Sequence, residues 1–372
     1  MDALILSCGT GGGHNAAAKA IAEELESRGH HAVICNPYTL KSHRLAENID
    51  KTYIAAARNL PGAFGAVYKL GDLYRLLPFR SPVYFINHGM DEILQRYLET
   101  RHFDVVIMTH LFAAEILTNM KLHGIPVPKT MFVATDYVCT PFTEETECDA
   151  YVIPAQDLTG DFTGRGIPVS KLYPLGIPTG RAFREPETRE AAKARLGLRQ
   201  DQKYILIAGG SMGGGKIEKA ITKLQAYCNE RSGVALLVVC GSNEPLLEKL
   251  SARQDPKTTV FGYTDDMASL MRASDLFITK PGGLSSTEAA VSGVPIFHTC
   301  PIPGCESCNA RYFSERGMSI SGNATDDILK TLDRMLYEEE IGARMTAREK
   351  VCMNPGAAAD ICDLAEKMAS GA

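Results

Sequence analysis

Ala3-Leu4-Ile5-Leu6 runs straight into Ser7-Cys8-Gly9-Thr10-Gly11-Gly12-Gly13-His14, and the pattern returns as Tyr204-Ile205-Leu206-Ile207-Ala208 followed by Gly209-Gly210-Ser211-Met212-Gly213-Gly214-Gly215. Each stretch is an apolar run that ends in a glycine turn ahead of a helix-like pattern. A strand, glycine turn and helix in that order open a βαβ unit, in which glycine lets backbone N–H groups approach a phosphate or sugar closely. Two such openings in one chain predict an α/β protein of two Rossmann-like domains facing a central cleft.

Working outward from these turns, the rest of the chain has the same rhythm. Strand patterns fall at 3–6, 32–35, 105–108, 130–134, 150–153 and 171–174, then at 204–208, 235–240, 258–261, 276–279 and 294–298. Helical patterns lie between them, at 15–28, 86–100, 112–123 and 157–165, then 216–230, 245–252, 267–273, 285–292 and 309–316. Short apolar runs alternating with longer amphipathic ones signal mostly parallel sheets covered by helices. Gly176 to Gln202 is charged, carries Pro178 and Pro186 and lacks a strand, so it reads as the junction. The expected domains are residues 1–180 and 181–354, with a last helix over 355–372 packing back toward the first domain.

The bulk numbers agree with this organisation. A chain of 372 residues suits two domains better than one core. With 45% hydrophobic and 22% charged residues it has the composition of a globular protein, and no apolar run approaches a membrane span. Residues 1–6 read as the first core strand rather than a leader, which places the chain in the cytoplasm. Eleven scattered cysteines fit reduced thiols better than a disulfide framework. A net charge of −5 argues against nucleic acid as the main partner.

One local asymmetry departs from that average. From Lys41 to Arg80 basic residues outnumber acidic ones and alternate with Phe64, Tyr68, Tyr74 and Phe79. Apolar side chains that enter a headgroup boundary beside Lys and Arg are what contact with an anionic membrane surface needs. The same pattern also describes a helix pair with a solvated basic face, which on pattern alone is the commoner case.

Three motifs bear on chemistry. Gly210 to Lys216 spells G-x-x-x-x-G-K, but Ile217 stands where a P-loop needs a hydroxyl for Mg²⁺, so a glycine loop on another nucleotide's diphosphate is preferred. Gly11-Gly12-Gly13-His14-Asn15-Ala16 fits the dinucleotide fingerprint, yet the second strand ends at Ile34-Cys35-Asn36 without the ribose-binding carboxylate. His14 would open the helix, where the positive helix end would keep it neutral and able to accept a proton; it could equally cap the turn. The most particular string is Thr279-Lys280-Pro281-Gly282-Gly283-Leu284-Ser285-Ser286-Thr287-Glu288. There a strand ends, glycines turn, and a helix opens with free N–H groups suited to an anion, while Glu288 one turn in suits two ribose hydroxyls. Cys305-Glu306-Ser307-Cys308 lacks a second cysteine pair or a nearby His and is a poor zinc site.

Together the sequence resembles the monogalactosyl- and glucosyl-diacylglycerol synthases, inverting glycosyltransferases of the GT-B type. The resemblance is carried by Gly11-Gly12-Gly13-His14, by Thr135-Asp136-Tyr137 and Gly176-Ile177-Pro178, and by Lys280-Pro281-Gly282-Gly283, Glu288-Ala289, Gly293-Val294-Pro295, Pro303-Gly304 and Asn309-Ala310. It implies transfer of a hexose from a UDP-sugar to a lipid hydroxyl, diacylglycerol above others, with His14 as base and Asp136 as a second catalytic residue. It implies a donor site in which Gly262 and Tyr263 lie beside the uracil and Glu288 takes the ribose. Gly283, Ser285 and Ser286 would hold the diphosphate, and Glu306 and Asn309 would face the sugar and phosphates. Gly12, Gly13, Gly210, Ser211, Met212, Gly241, Asn243, Lys280 and Gly282 complete the expected nucleotide-sugar contacts. No metal or cofactor is implied, since the helix end and Lys280 carry the diphosphate charge. The family's habit turns the Lys41–Arg80 reading toward a peripheral enzyme on the inner face of the cell membrane. This chain departs from the family at Thr140, where a His is usual, and at Cys305, where a Gln is usual; the first bears on the acceptor and the second on the donor hexose. Three other readings stay open: a GlcNAc transferase acting on an undecaprenyl lipid, a nucleotide-sugar epimerase, and a non-enzymatic nucleotide-binding protein.

Overall fold

β1 (Asp2–Leu6), β2 (His31–Cys35), β3 (Val105–Met108), β4 (Lys129–Val133), β5 (Ala150–Val152) and β6 (Leu172–Tyr173) form a six-stranded parallel sheet in the order β2-β1-β3-β4-β5-β6. β7 (Lys203–Ala208), β8 (Val234–Val239), β9 (Thr258–Phe261), β10 (Leu276–Thr279), β11 (Ile296–Thr299) and β12 (Ile320–Gly322) form a second six-stranded parallel sheet, in the order β12-β11-β10-β7-β8-β9. This computed structural model describes residues 1–9, 12–59, 80–209, 217–253, 255–322 and 327–371. Most of the second glycine turn, with the expected contacts Gly210, Ser211 and Met212, lies outside the described residues, as do Thr10, Gly11 and residues 60–79 of the basic stretch.

Parallel strands connected by helices are covered on both faces, which is why they read as continuous apolar runs. Along β1 and β3 the side chains sort by parity. Leu4, Leu6, Val106 and Met108 join Leu94, Leu117 and Phe132 on one face. Ala3, Ile5, Val105 and Ile107 join Ile21, Leu25, Ile361 and Leu364 on the other. The edge strand β2 keeps one face open, and Ile34 is exposed there.

The chain divides into two units, Met1–Arg181 with Ile302–Cys305 and Asn354–Ala372, and Ala182–Pro301 with Glu306–Met353. The last helix, Ala357–Ser370, belongs to the first unit and packs on helix Gly12–Ser27. Arg28 ties the two helices, donating to Asp363 at 2.5 Å, to Glu366 at 3.1 Å and to the Ala359 carbonyl at 3.0 Å.

Several boundaries differ from the sequence expectation. The single helix expected over 86–100 is helix Pro82–Asn87, a 3-10 turn His88–Met90 and helix Asp91–Thr100, because Gly89 sits in the turn and Asp91 and Glu92 open a fresh helix start. The helix expected over 157–165 shrinks to Thr159–Thr163, ended by Gly164 and by Gly166 at φ +95. Helix Cys305–Glu315 begins ahead of the expected Asn309. β12 was not anticipated, since Ser321 and Gly322 give three residues no apolar signature; nor were helices Asp327–Tyr337 and Glu339–Cys352.

In each sheet the strand order reverses once, at β1/β3 and at β7/β10. At such a reversal the connections on either side leave in opposite directions, opening a crevice at the carboxyl edge where ligands settle.

Candidate active site

The loops at the β1/β3 reversal bring together residues far apart in the chain. Helix Gly12–Ser27 follows β1 and carries His14 in its first turn. Thr109 and His110 follow β3, and Thr135 and Asp136 follow β4. The His14 Nδ1 lies 2.7 Å from the Thr109 carbonyl oxygen and 3.0 Å from Thr135 Oγ1. A carbonyl can only accept, so Nδ1 carries the ring hydrogen and Nε2 keeps the lone pair. Burial pushes the His14 imidazole below its usual range, against the opposing pull of the Asp136 charge and the Thr109 carbonyl. The expected cause was the helix end; desolvation is the larger one. The result is a neutral imidazole with a carboxylate near enough to steady it once protonated.

These residues line a cavity of ≈ 220 Å³ in the first unit. Its walls are mainly apolar, with Phe112, Phe132, Phe142, Phe162, Leu111 and Val138, and Thr140, Thr143 and Cys305 add to the lining. Phe142 holds φ 72, a left-handed conformation uncommon for an aromatic residue, so its ring position is imposed by the surrounding turn. Thr140 Oγ1 meets Thr143 Oγ1 at 2.9 Å, closing that turn. Ahead of His14, Gly9 donates its N–H to Asp50 from helix His43–Asn59, and a side-chain carbon at Gly9 would collide with that carboxylate. Of the two glycines expected here, Gly12 is exposed and Gly13 half-buried at the helix start.

In the second unit expected donor residues leave the carboxyl edges of three strands of one sheet, Gly241 and Asn243 after β8, Gly262 and Tyr263 after the adjacent β9, and Lys280 to Glu288 after β10, which β7 separates from β8. Helix Gly283–Ser292 opens at Gly282 with no side-chain cap and no acidic residue in its first turn. Its first N–H groups have no intrahelical acceptors, which makes that end attractive to an anion. Glu288 is only partly exposed, and burial raises its carboxyl to about 8. Tyr263 is exposed, and Gly262 packs where a Cβ would sit 3.1 Å from Leu247. Lys280, Ser285 and Glu306 are partly exposed.

Three of the expected ligand contacts also bond within the scaffold. Ser286 is fully buried, its Oγ 2.9 Å from His298 Nε2 and its N–H donated to the Gly282 carbonyl, so it supports the helix start from beneath. Asn309 is also buried and donates from Nδ2 to the Pro281 carbonyl at 3.0 Å, bracing the Pro-Gly-Gly turn. Asn243 caps helix Glu244–Ser251 by accepting the Leu246 N–H at 3.2 Å, beside Gly241 in the left-handed region at φ 60. His110 and the Thr109 carbonyl were missed, and the only sequence signal was their place directly after a strand.

Residues 14–179 match the family model for monogalactosyldiacylglycerol (MGDG) synthase, and residues 204–351 match that for the glycosyltransferase family 28 C-terminal domain. The processive diacylglycerol beta-glucosyltransferase of Bacillus pumilus is 27% identical over 343 residues, covering 91% of this chain and 87% of the relative. Among solved structures, Acinetobacter baumannii MurG superposes with a TM-score of 0.63 at 17% identity, covering 98% of this chain and 99% of the other. MnaA of S. aureus in its UDP complex superposes with a TM-score of 0.65 at 11% identity, covering 98% and 96%. At those identities the structural likeness speaks for the fold alone.

Proposed function

We propose, from the premise that this chain is a glycosyltransferase of the GT-B class joining a monogalactosyldiacylglycerol synthase domain to a family 28 C-terminal domain, that it moves a hexose from a UDP-sugar to the hydroxyl of diacylglycerol with inversion. The observation that carries this reading is the neutral His14, fixed as an Nε2 base on the wall of a phenylalanine-lined cavity. A base beside an apolar cavity suits an acceptor with one hydroxyl on an apolar body. The glycerol and its first methylenes enter among Phe112, Phe132 and Phe162, which leaves the hydroxyl at the polar end with His14, Thr135 and Asp136.

Nε2 takes the hydroxyl proton as the oxygen attacks the anomeric carbon from the face opposite UDP. The Asp136 charge stabilises the imidazolium that forms. The open N-terminus of helix Gly283–Ser292 and Lys280 receive the charge that develops on the leaving diphosphate, a role that needs neither metal nor cofactor. Glu288 takes the ribose hydroxyls, and Tyr263 lies against the uracil. In this reading Ser286 and Asn309 act beneath the phosphate site and do not touch the donor.

The enzyme reaches its acceptor from the inner face of the membrane as a peripheral protein, through the basic stretch Lys41–Arg80. Among the described residues His43, Arg44 and Lys51 are exposed on that stretch, and no helix is long and apolar enough to cross a membrane. Incubation with UDP-glucose, UDP-galactose and UDP-GlcNAc, each with diacylglycerol or an undecaprenyl lipid, followed by product masses, tests the reading. A hexosyl-diacylglycerol is expected. Product only on the undecaprenyl lipid, or an altered UDP-sugar without lipid product, would replace it with the transferase or epimerase alternatives.

A further inference from the structure

His110 stands at the end of β3 with an extended backbone, φ −135 and ψ 140, and begins helix Leu111–Leu122 as its N-cap. Its Nδ1 accepts the Phe112 N–H at 3.1 Å. That bond fixes the ring in one rotamer and places the hydrogen of the neutral imidazole on Nε2. The ring meets Phe112, with centroids 4.6 Å apart and planes at 72°. It also meets His14, with centroids 4.5 Å apart and planes at 79°. The adjacent residue, Thr109, supplies the carbonyl that anchors His14 Nδ1. One dipeptide therefore gives His14 both its anchor and the wall beside it.

We propose that His110 is a positioning residue for glycosyl transfer: its capped ring keeps the His14 imidazole on the Thr109 carbonyl and keeps water from its flank, so that Nε2 remains the basic nitrogen. This rests on the reading of His14 as the base. Among the described residues the groups facing His14 are the Asp136 carboxylate and Thr135 hydroxyl after β4, and His110 with the Thr109 carbonyl after β3. Burial, and then the neighbouring His14, push His110 well below the usual imidazole range, so the wall brings no charge of its own. A charged wall would oppose the proton that His14 must take, whereas a neutral one leaves the Asp136 attraction intact.

The competing explanation is a helix cap and nothing more, and two substitutions separate them. His110→Asn keeps a strong N-cap acceptor but removes the ring; His110→Phe keeps a ring but removes the cap. Under the proposal His110→Asn retains wild-type melting temperature and UDP affinity and loses at least about tenfold in kcat. The acid limb of its kcat/KM profile moves up toward the unperturbed imidazole value, because water reaches His14. His110→Phe melts lower yet keeps the wild-type acid limb. Normal turnover in His110→Asn with loss in His110→Phe is what a cap alone gives, and it would overturn the proposal. His14→Ala is measured alongside: if it retains turnover, the base assignment itself has failed and this inference falls with it, a result distinct from failure at His110 alone.

Discussion

Glu288 is where the donor site makes its sharpest residue-level demand. Burial raises its carboxyl to about 8, so at neutral pH the free protein holds it mostly protonated. A ribose diol donates best to an ionised carboxylate, so with Glu288 in its proposed place at the ribose UDP binding expels that proton. Since the free state binds one proton more than the bound state, affinity should rise with pH by up to about tenfold per unit below pH 8 and level off above it. Calorimetry across that range checks the slope, and Glu288→Gln should flatten it while Glu288→Ala weakens UDP at every pH. A slope-free wild-type profile would remove Glu288 from the ribose. His14 and Glu288 could be proposed from the sequence because each stands within a turn motif whose chemistry is local. His110 could not, because its meaning comes from contact with residue 14, which only the β1/β3 adjacency brings within reach. The burial of Ser286 against His298 was not legible for the related reason that it is set by the neighbouring strand β11.

Among the elements, helix Gly283–Ser292 has the start best suited to an anion. A capping side chain or an acidic residue in the first turn steadies a helix start, and this one, like helix Met267–Ala273, has neither. An ordinary helix start would gain from such a residue, whereas an anion site would be spoiled by it. Ser285→Asp should therefore raise thermal stability by about 0.3–1 kcal/mol through the helix dipole and at the same time weaken UDP binding. A melting curve and a UDP titration on that variant read both signs, and stabilisation with unchanged UDP affinity would leave the helix without a ligand. The alternation of strands and helices was readable because buried parallel strands are apolar along their whole length, as in the fully buried β3, β8 and β10. Less readable were elements with weak periodicity. β12 has one apolar residue among three, and the break at His88–Met90 comes from one glycine inside an otherwise continuous pattern.

For the whole molecule, the account assigns the acceptor and base to the first unit and the nucleotide to the second. Surface charge decides how the protein meets a lipid acceptor, since polybasic segments gain about 1 kcal/mol per Lys or Arg near an anionic surface. Reversing Arg44, Lys51 and Arg58 to Glu should abolish sedimentation with anionic vesicles while leaving UDP affinity intact; equal sedimentation would remove this stretch from membrane contact. The division into two α/β units and the return of the last helix to the first unit were both expected from the sequence, whereas the Arg28 contacts that fix that helix in place join residues far apart in the chain and have no local pattern. The most direct measurement is single-turnover formation of labelled glycolipid by His14→Ala, with UDP affinity determined on the same preparation. The account predicts a loss of about a hundredfold or more in product formation with UDP affinity unchanged. Product formed at the wild-type rate, or a parallel collapse of UDP affinity, would contradict it.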